Sequence, residues 1–164
     1  MPSLGSYPEL DIWDKLINVL KTDSYINSLI TFINPTTRQN ESKVYNLALD
    51  SVTIKKYPAL SVVFNAVSEL NVINGLETVQ AFNSNYYIYV AYQHSDLAIA
   101  IRNCWKLAKD IEYTLRKNAN LSGLCGGVNV KRIFPTDSAT FENNLWTVML
   151  TIDLDAINTS NFVY

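Results

Sequence analysis

Between Trp146 and Leu154 five apolar residues, Trp146, Val148, Leu150, Ile152 and Leu154, alternate with Thr147, Met149, Thr151 and Asp153. Successive side chains of a β-strand point to opposite faces, so this period of two describes a strand with one face in a core and the other turned away from it. Two further stretches repeat the pattern. Leu60, Val62 and Phe64 alternate with Ser61, Val63 and Asn65 after the Tyr57-Pro58 entry, and Tyr86, Ile88, Val90 and Tyr92 alternate with Tyr87, Tyr89 and Ala91. Val128 to Phe134, closed by Pro135, reads as another strand, and Val44 to Thr53 as an ambiguous one ending near Ser51. Asn71 to Gly75 marks a turn or long hairpin loop, and Pro35 to Lys43 and Asn71 to Asn85 are expected to be polar loops outside the core.

Helical spacing appears elsewhere. Ser6, Pro8 and Glu9 form a helix start with a capping box, and Ile12, Trp13, Leu16, Ile17 and Leu20 then make one apolar stripe. Tyr25, Ile26, Leu29, Ile30 and Ile33 predict a short second helix ended by Asn34-Pro35, although Ile30 to Ile33 also suits a strand. The longest helix runs from Asp96 to Lys117 behind the cap candidates Ser95 and Asp96. Its stripe is Leu97, Ile101, Cys104, Ala108, Ile111 and Leu115. Asn118 to Gly127 stops it, and Asp137 to Asn144 is a polar connection. Helices and hairpins are segregated, with no βαβ series. The expected fold class is therefore α+β: a largely antiparallel sheet of four strands, or slightly more, against a long helix, with an amphipathic helix at the N-terminus. The 164 residues suit a single domain spanning 1–164.

Composition narrows the function. Thirteen Lys and Arg stand against 15 Asp and Glu, a net charge of −2, which disfavours a role centred on gripping phosphate backbones. One His and two Cys are too few for a Cys/His structural zinc site. No segment reaches the length of a membrane span and no signal peptide is visible, so synthesis in a reducing cytoplasm with both thiols free is the default.

The candidates for chemistry are few. His94 reads as a loop residue at a helix start rather than a general base or metal ligand. Cys104 lies on an apolar stripe ten positions from His94, so the two cannot act together if the helix is intact. Cys125 falls in the turn Gly123 to Gly127, where it can be exposed. That glycine run follows a helix and precedes a strand, the reverse of a phosphate loop. Asp153 and Asp155 share a strand face and read as solvated carboxylates rather than a metal pair. The Tyr86 to Tyr92 tyrosines could stack nucleobases, but the order of elements is not that of an RNA-recognition sheet. No catalytic, cofactor or metal site is expected, and a binding or assembly role becomes the main reading.

The layout resembles the tail terminator proteins of long-tailed bacteriophages, also called tail completion or tail-to-head joining proteins. The likeness rests on the opening helix Glu9 to Leu20, the proline-entered strand Tyr57-Pro58-Ala59-Leu60-Ser61-Val62-Val63-Phe64, and the strand Tyr86 to Tyr92 running straight into the helix Asp96 to Lys117. The closing strands Val128 to Phe134 and Leu145 to Leu154, joined at Pro135-Thr136-Asp137-Ser138, complete it. It covers about Glu9 to Leu154; Pro35 to Thr53 is longer and more polar than the family pattern requires.

The resemblance implies a virion protein that assembles in the host bacterial cytoplasm. It would form a homohexameric ring on the head-proximal end of the tail, stop tube polymerisation, and join the tail tube protein to the head-completion or neck proteins. The family carries no catalytic residues. DNA would pass through the lumen without being held, as suits a hexamer carrying −12. A head-to-tail ring needs two different surfaces per subunit. The outer sheet face (Tyr87, Tyr89, Thr147, Met149, Thr151) is expected to supply one, and the loops, with Arg38, Glu41 and Lys43 making charge-assisted contacts, the other. The alternatives are another neck or capsid-accessory protein, a small nucleic-acid-binding α+β module using the tyrosine face, and, third, a hydrolytic enzyme.

Overall fold

The computed structural model describes residues 8–45, 56–72, 80–136 and 145–158. Helix α1, Pro8–Thr22, buries Ile12, Leu16, Ile17 and Leu20, as its stripe predicts, and Val19 besides. Trp13 lies at its edge, and its indole Nε1 donates to the Val62 carbonyl at 2.7 Å, tying the helix to the sheet. The expected cap Ser6 lies outside the described residues.

Helix α2, Ser24–Ile30, is shorter than expected. It stops because Thr31 turns to extended geometry, and strand β1, Thr31–Ile33, pairs with β2, Asn40–Ser42. The stretch expected to be a polar loop, Pro35 to Lys43, is thus largely a hairpin. Its turn is held by the Asn34 side-chain oxygen, which accepts from the Thr36 and Thr37 N–H groups at 2.8 and 3.3 Å, an Asx turn. Lys43 then bridges two elements. Its N–H donates to the Ile30 carbonyl and its own carbonyl accepts from Leu60 N–H, both at 2.9 Å. Strand β3, Val44–Tyr45, follows; the rest of the ambiguous Val44–Thr53 stretch lies outside the described residues.

Strand β4, Ala59–Val72, and strand β5, Gln80–Gln93, are each 14 residues long, well beyond the alternating segments that announced them. The expected loop Asn71 to Asn85 is therefore corrected at both ends: Asn71 and Val72 close β4, residues 80–85 open β5, and Ser84 is fully buried. Polar Asn and Ser hide strand character because ladder hydrogen bonds come from the backbone and not from side chains. Helix α3, Leu97–Lys117, opens on Asp96, whose carboxylate accepts from Ala98 N–H at 2.8 Å. Strands β6, Gly127–Pro135, and β7, Leu145–Asn158, close the described chain.

The large sheet has the order β3-β4-β5-β7-β6, antiparallel except for the short β3–β4 pair. The structure is α+β, with α1 over β3 and β4 and α3 over β5, β7 and β6. Leu60, Val62, Tyr86, Ile88, Val90, Val148, Leu150, Ile152 and Leu154 meet the helices in one core. The phase expected for β7 is thus correct; in α3 Ala100, Leu107 and Thr114 join the buried stripe, while Leu97 and Ile101, expected on it, are only half-buried.

Candidate functional site

Because both long helices pack on one face of the sheet, the register decides what the other face presents. Its cross-strand rows are Val63–Tyr87–Thr151–Arg132, Ser61–Tyr89–Met149–Phe134 and Ala59–Ala91–Thr147. The five residues expected on the outer face, Tyr87, Tyr89, Thr147, Met149 and Thr151, are therefore brought together, Tyr87 beside Thr151 and Tyr89 beside Met149. The Tyr87 and Tyr89 rings meet edge-on, centroids 6.3 Å apart, a geometry the aromatic quadrupole favours. Arg132 lies over the Phe134 ring at 5.2 Å. Val63 lies on this face as its alternation predicts, and Arg132 and Phe134 join it unannounced, because a bulge between Val130 and Arg132 shifts the alternation of β6.

The face is mixed in character. Thr147 is only 7% exposed, while Tyr87, Tyr89, Met149 and Thr151 are half-buried. The Thr151 hydroxyl oxygen is shielded from solvent and has no hydrogen-bond partner among the described residues. A shielded hydroxyl left unpaired costs about 1–3 kcal/mol, which a polar atom from outside can offset. At the margin, the Asn85 amide donates to the Asp153 carboxylate, and Lys131 Nζ lies 3.8 Å from its other oxygen. Asp153 is thus engaged within the sheet.

The second expected surface does not hold together. Arg38 is exposed in the β1–β2 turn, in the left-handed region at φ 56°. Glu41 is turned inward: its Oε1 accepts from Asn34 Nδ2 at 2.7 Å, which holds the turn. Lys43 is a correction, being only 5% exposed and held between Ile30 and Leu60. Burial, and then the neighbouring Lys56 charge, hold its ammonium below lysine's ordinary pKa. Of the three, only Arg38 is free to meet a partner. All lie on the small hairpin, apart from the tyrosine rows of β5.

His94 sits at a helix start as read: its Nδ1 accepts from Asp96 N–H at 3.0 Å and closes the turn into α3. Cys104 is fully buried, its thiol donating to the Val90 carbonyl at 3.3 Å, and burial pushes its pKa up to about 12. Cys125 is buried too, although the glycine turn would have allowed exposure, and neither cysteine forms a disulfide. Among the described residues no cluster of three or more His, Cys, Asp or Glu could hold a metal ion, and no helix is long and apolar enough to cross a membrane.

Asp23 is a joint that no spacing rule indicated. Its Oδ1 caps α2 through the Tyr25 and Ile26 N–H groups, and its Oδ2 accepts from Thr114 Oγ1 at 3.1 Å. Next to it a groove of about 360 Å³ lies between α2 and α3, lined by Asp23, Tyr25, Lys106, Asp110, Tyr113 and Lys117.

The fold is a mainly antiparallel sheet covered by helices on one side, whose other face is half-buried at Val63, Tyr87, Tyr89, Met149 and Thr151 and closed at Ala59, Ser61, Ala91 and Thr147. No protein-family model and no curated protein matches the chain. Among solved structures it is similar to a chain described as "Virion of native gene transfer agent (GTA) particle", with a TM-score of 0.56 and 11% identity over 93% of this chain and 99% of that one. At that identity the likeness is one of fold, and it runs nearly the full length of both chains.

Proposed function

We propose that the chain is a structural virion protein and, within that class, a tail terminator: a ring-forming subunit that ends tube growth at the head-proximal end of a phage tail and joins it to the neck. The observation that carries this reading is the near end-to-end match of fold with a chain from a gene transfer agent virion. The open sheet face supports the reading, since Tyr87, Tyr89 and Met149 offer the aromatic and Met surface that subunit contacts favour. The sequence layout supports the terminator assignment in particular. On this reading the protein works as an assembly part, not as an enzyme, and His94→Ala leaves it functional.

Native mass spectrometry and electron microscopy of the purified protein test the ring, with about six subunits expected. Deleting the gene in its phage tests the role. Headless tails, overlong or of normal length, beside DNA-filled heads without tails are expected. Normal virions from the deletion would remove the terminator assignment.

A further inference from the structure

Among the described residues, the outer side of β4 pairs with another strand only at Leu60 and Ser61, through the two residues of β3. The Leu60 N–H points to that side, since it donates to the Lys43 carbonyl at 2.9 Å. Successive residues of a strand turn their N–H and carbonyl groups to opposite sides, so those of Val62 point outward as well. The Val62 carbonyl is therefore the next acceptor that a strand beside β4 would use. It is already taken: Trp13 of α1 donates its indole Nε1–H to it at 2.7 Å. The bond ties helix to sheet, but its place on the edge has a second consequence. A side chain satisfies the acceptor and, unlike a strand, offers no new edge behind it.

The two edges of the sheet are built differently. The far edge, β6, carries Lys131, Arg132, a bulge between Val130 and Arg132, and Pro135 at its end. Charged side chains, bulges and proline keep edge strands from pairing with other chains. Strand β4 has no Lys, Arg or Pro along Ala59–Val72. Its irregularities begin only after Phe64, at the register shift between Phe64 and Ala66. Between the end of the β3 pairing at Ser61 and that shift, Val62, Val63 and Phe64 form a regular apolar stretch of edge, and the Trp13 bond falls inside it. From this register we infer that Trp13 is an edge stopper: it withholds the β4 edge from the β4 edge of a second copy. Each copy has one such edge, so pairing without the stopper is antiparallel and two-fold, with the same surface on both sides. This inference goes beyond the ring reading above and holds whether the wild-type protein is a ring or a single copy.

The test compares Trp13→Leu and Trp13→Leu/Asn65→Lys with wild type by native mass and far-ultraviolet circular dichroism, with Asn65→Lys alone as the control. Leucine keeps an apolar contact with the core and removes the donor. Asn65 is exposed at the bulge beside the regular stretch, where a lysine protects the edge without entering the core. Trp13→Leu should fold and gain a species of about twice the wild-type mass that grows with concentration. The double variant should return to the wild-type mass. A Trp13→Leu protein that folds and keeps the wild-type mass at every concentration overturns the inference. So does a doubled species that persists in the double variant, since the association then comes from lost packing and not from the edge. If Trp13→Leu fails to fold, benzothienylalanine at position 13, with sulfur in place of the indole N–H and the ring otherwise kept, replaces it. The same doubling is expected there, and an unchanged mass overturns the inference. The ring reading is judged by the wild-type mass alone, so the two can fail independently.

Discussion

Lys43 follows nine residues in which no regular apolar period occurs, and its charge marks it as a surface residue. Its position instead follows from the backbone. Its N–H and carbonyl are both used, one toward α2 and one toward β4, so the residue is held where its side chain must cross the edge of the core. Reversing its charge should therefore damage folding rather than assembly. Lys43→Glu is expected to lower stability by about 2 kcal/mol or more by leaving a shielded carboxylate unpaired. Lys43→Met should cost little, since the stem already packs. Arg38→Glu, in the exposed turn, should leave the melting temperature within a few degrees of wild type. Thermal melts of the three variants check this set.

Cys104 gives a prediction in pH. Its thiol titrates near 9.0 in the ordinary case and is pushed up to about 12 by burial in the fold. Between those values the unfolded chain has released the proton while the folded chain holds it, so the unfolded state is favoured as pH rises. The contribution is fully present below about pH 9 and is lost on the way to 12, with a slope approaching 1.4 kcal/mol per pH unit. Denaturant unfolding of wild type and Cys104→Ala at several alkaline pH values checks it. The variant starts less stable because of the cavity, and its stability should fall less steeply above pH 9.

At the scale of elements, β7 is the centre of the sheet's energetics. Val148 pairs with Val90 on β5 and sits fully buried beneath α3. Val148→Asp should cost more than about 4 kcal/mol and abolish soluble expression, because a carboxylate there has neither water nor partner. Thr147→Val, one residue along, should be tolerated, since Thr147 lies on the sheet face turned away from α3 and Val keeps its shape without adding a charge. Asp23, the cap of α2, also ties that helix to α3 through Thr114. Asp23→Ala removes the α2 cap and the Thr114 contact together, and a loss of about 2–3 kcal/mol is expected from the two combined. Asp23→Asn keeps an acceptor for the cap and should recover part of it, which chemical denaturation resolves.

For the whole molecule, the ring proposed above requires a surface on which copies meet, and the outer sheet face is the one to test. Tyr89→Asp and Met149→Asp place charge on neighbouring positions of that face and should leave the circular dichroism spectrum unchanged while shifting the native mass to the monomer. An unchanged ring in both variants would exclude this face from the contact.

What the sequence by itself determined is periodic and local. The alternation of Trp146 to Leu154, the stripe from Cys104 to Leu115 and the cap at Asp96 each report which side of one element is buried. The element types, the α+β class and the membership of the tyrosine face follow from them, because period two and period 3.6 are properties of a single segment. What only the tertiary structure decided depends on partners far apart in the chain. The β1–β2 hairpin, the burial of Lys43, the Asp23–Thr114 joint and the shift of Arg132 and Phe134 onto the open face all need the strand order and register. Those are set by which surfaces fit when the whole chain closes on itself, and a hydrophobic period carries no record of its neighbour.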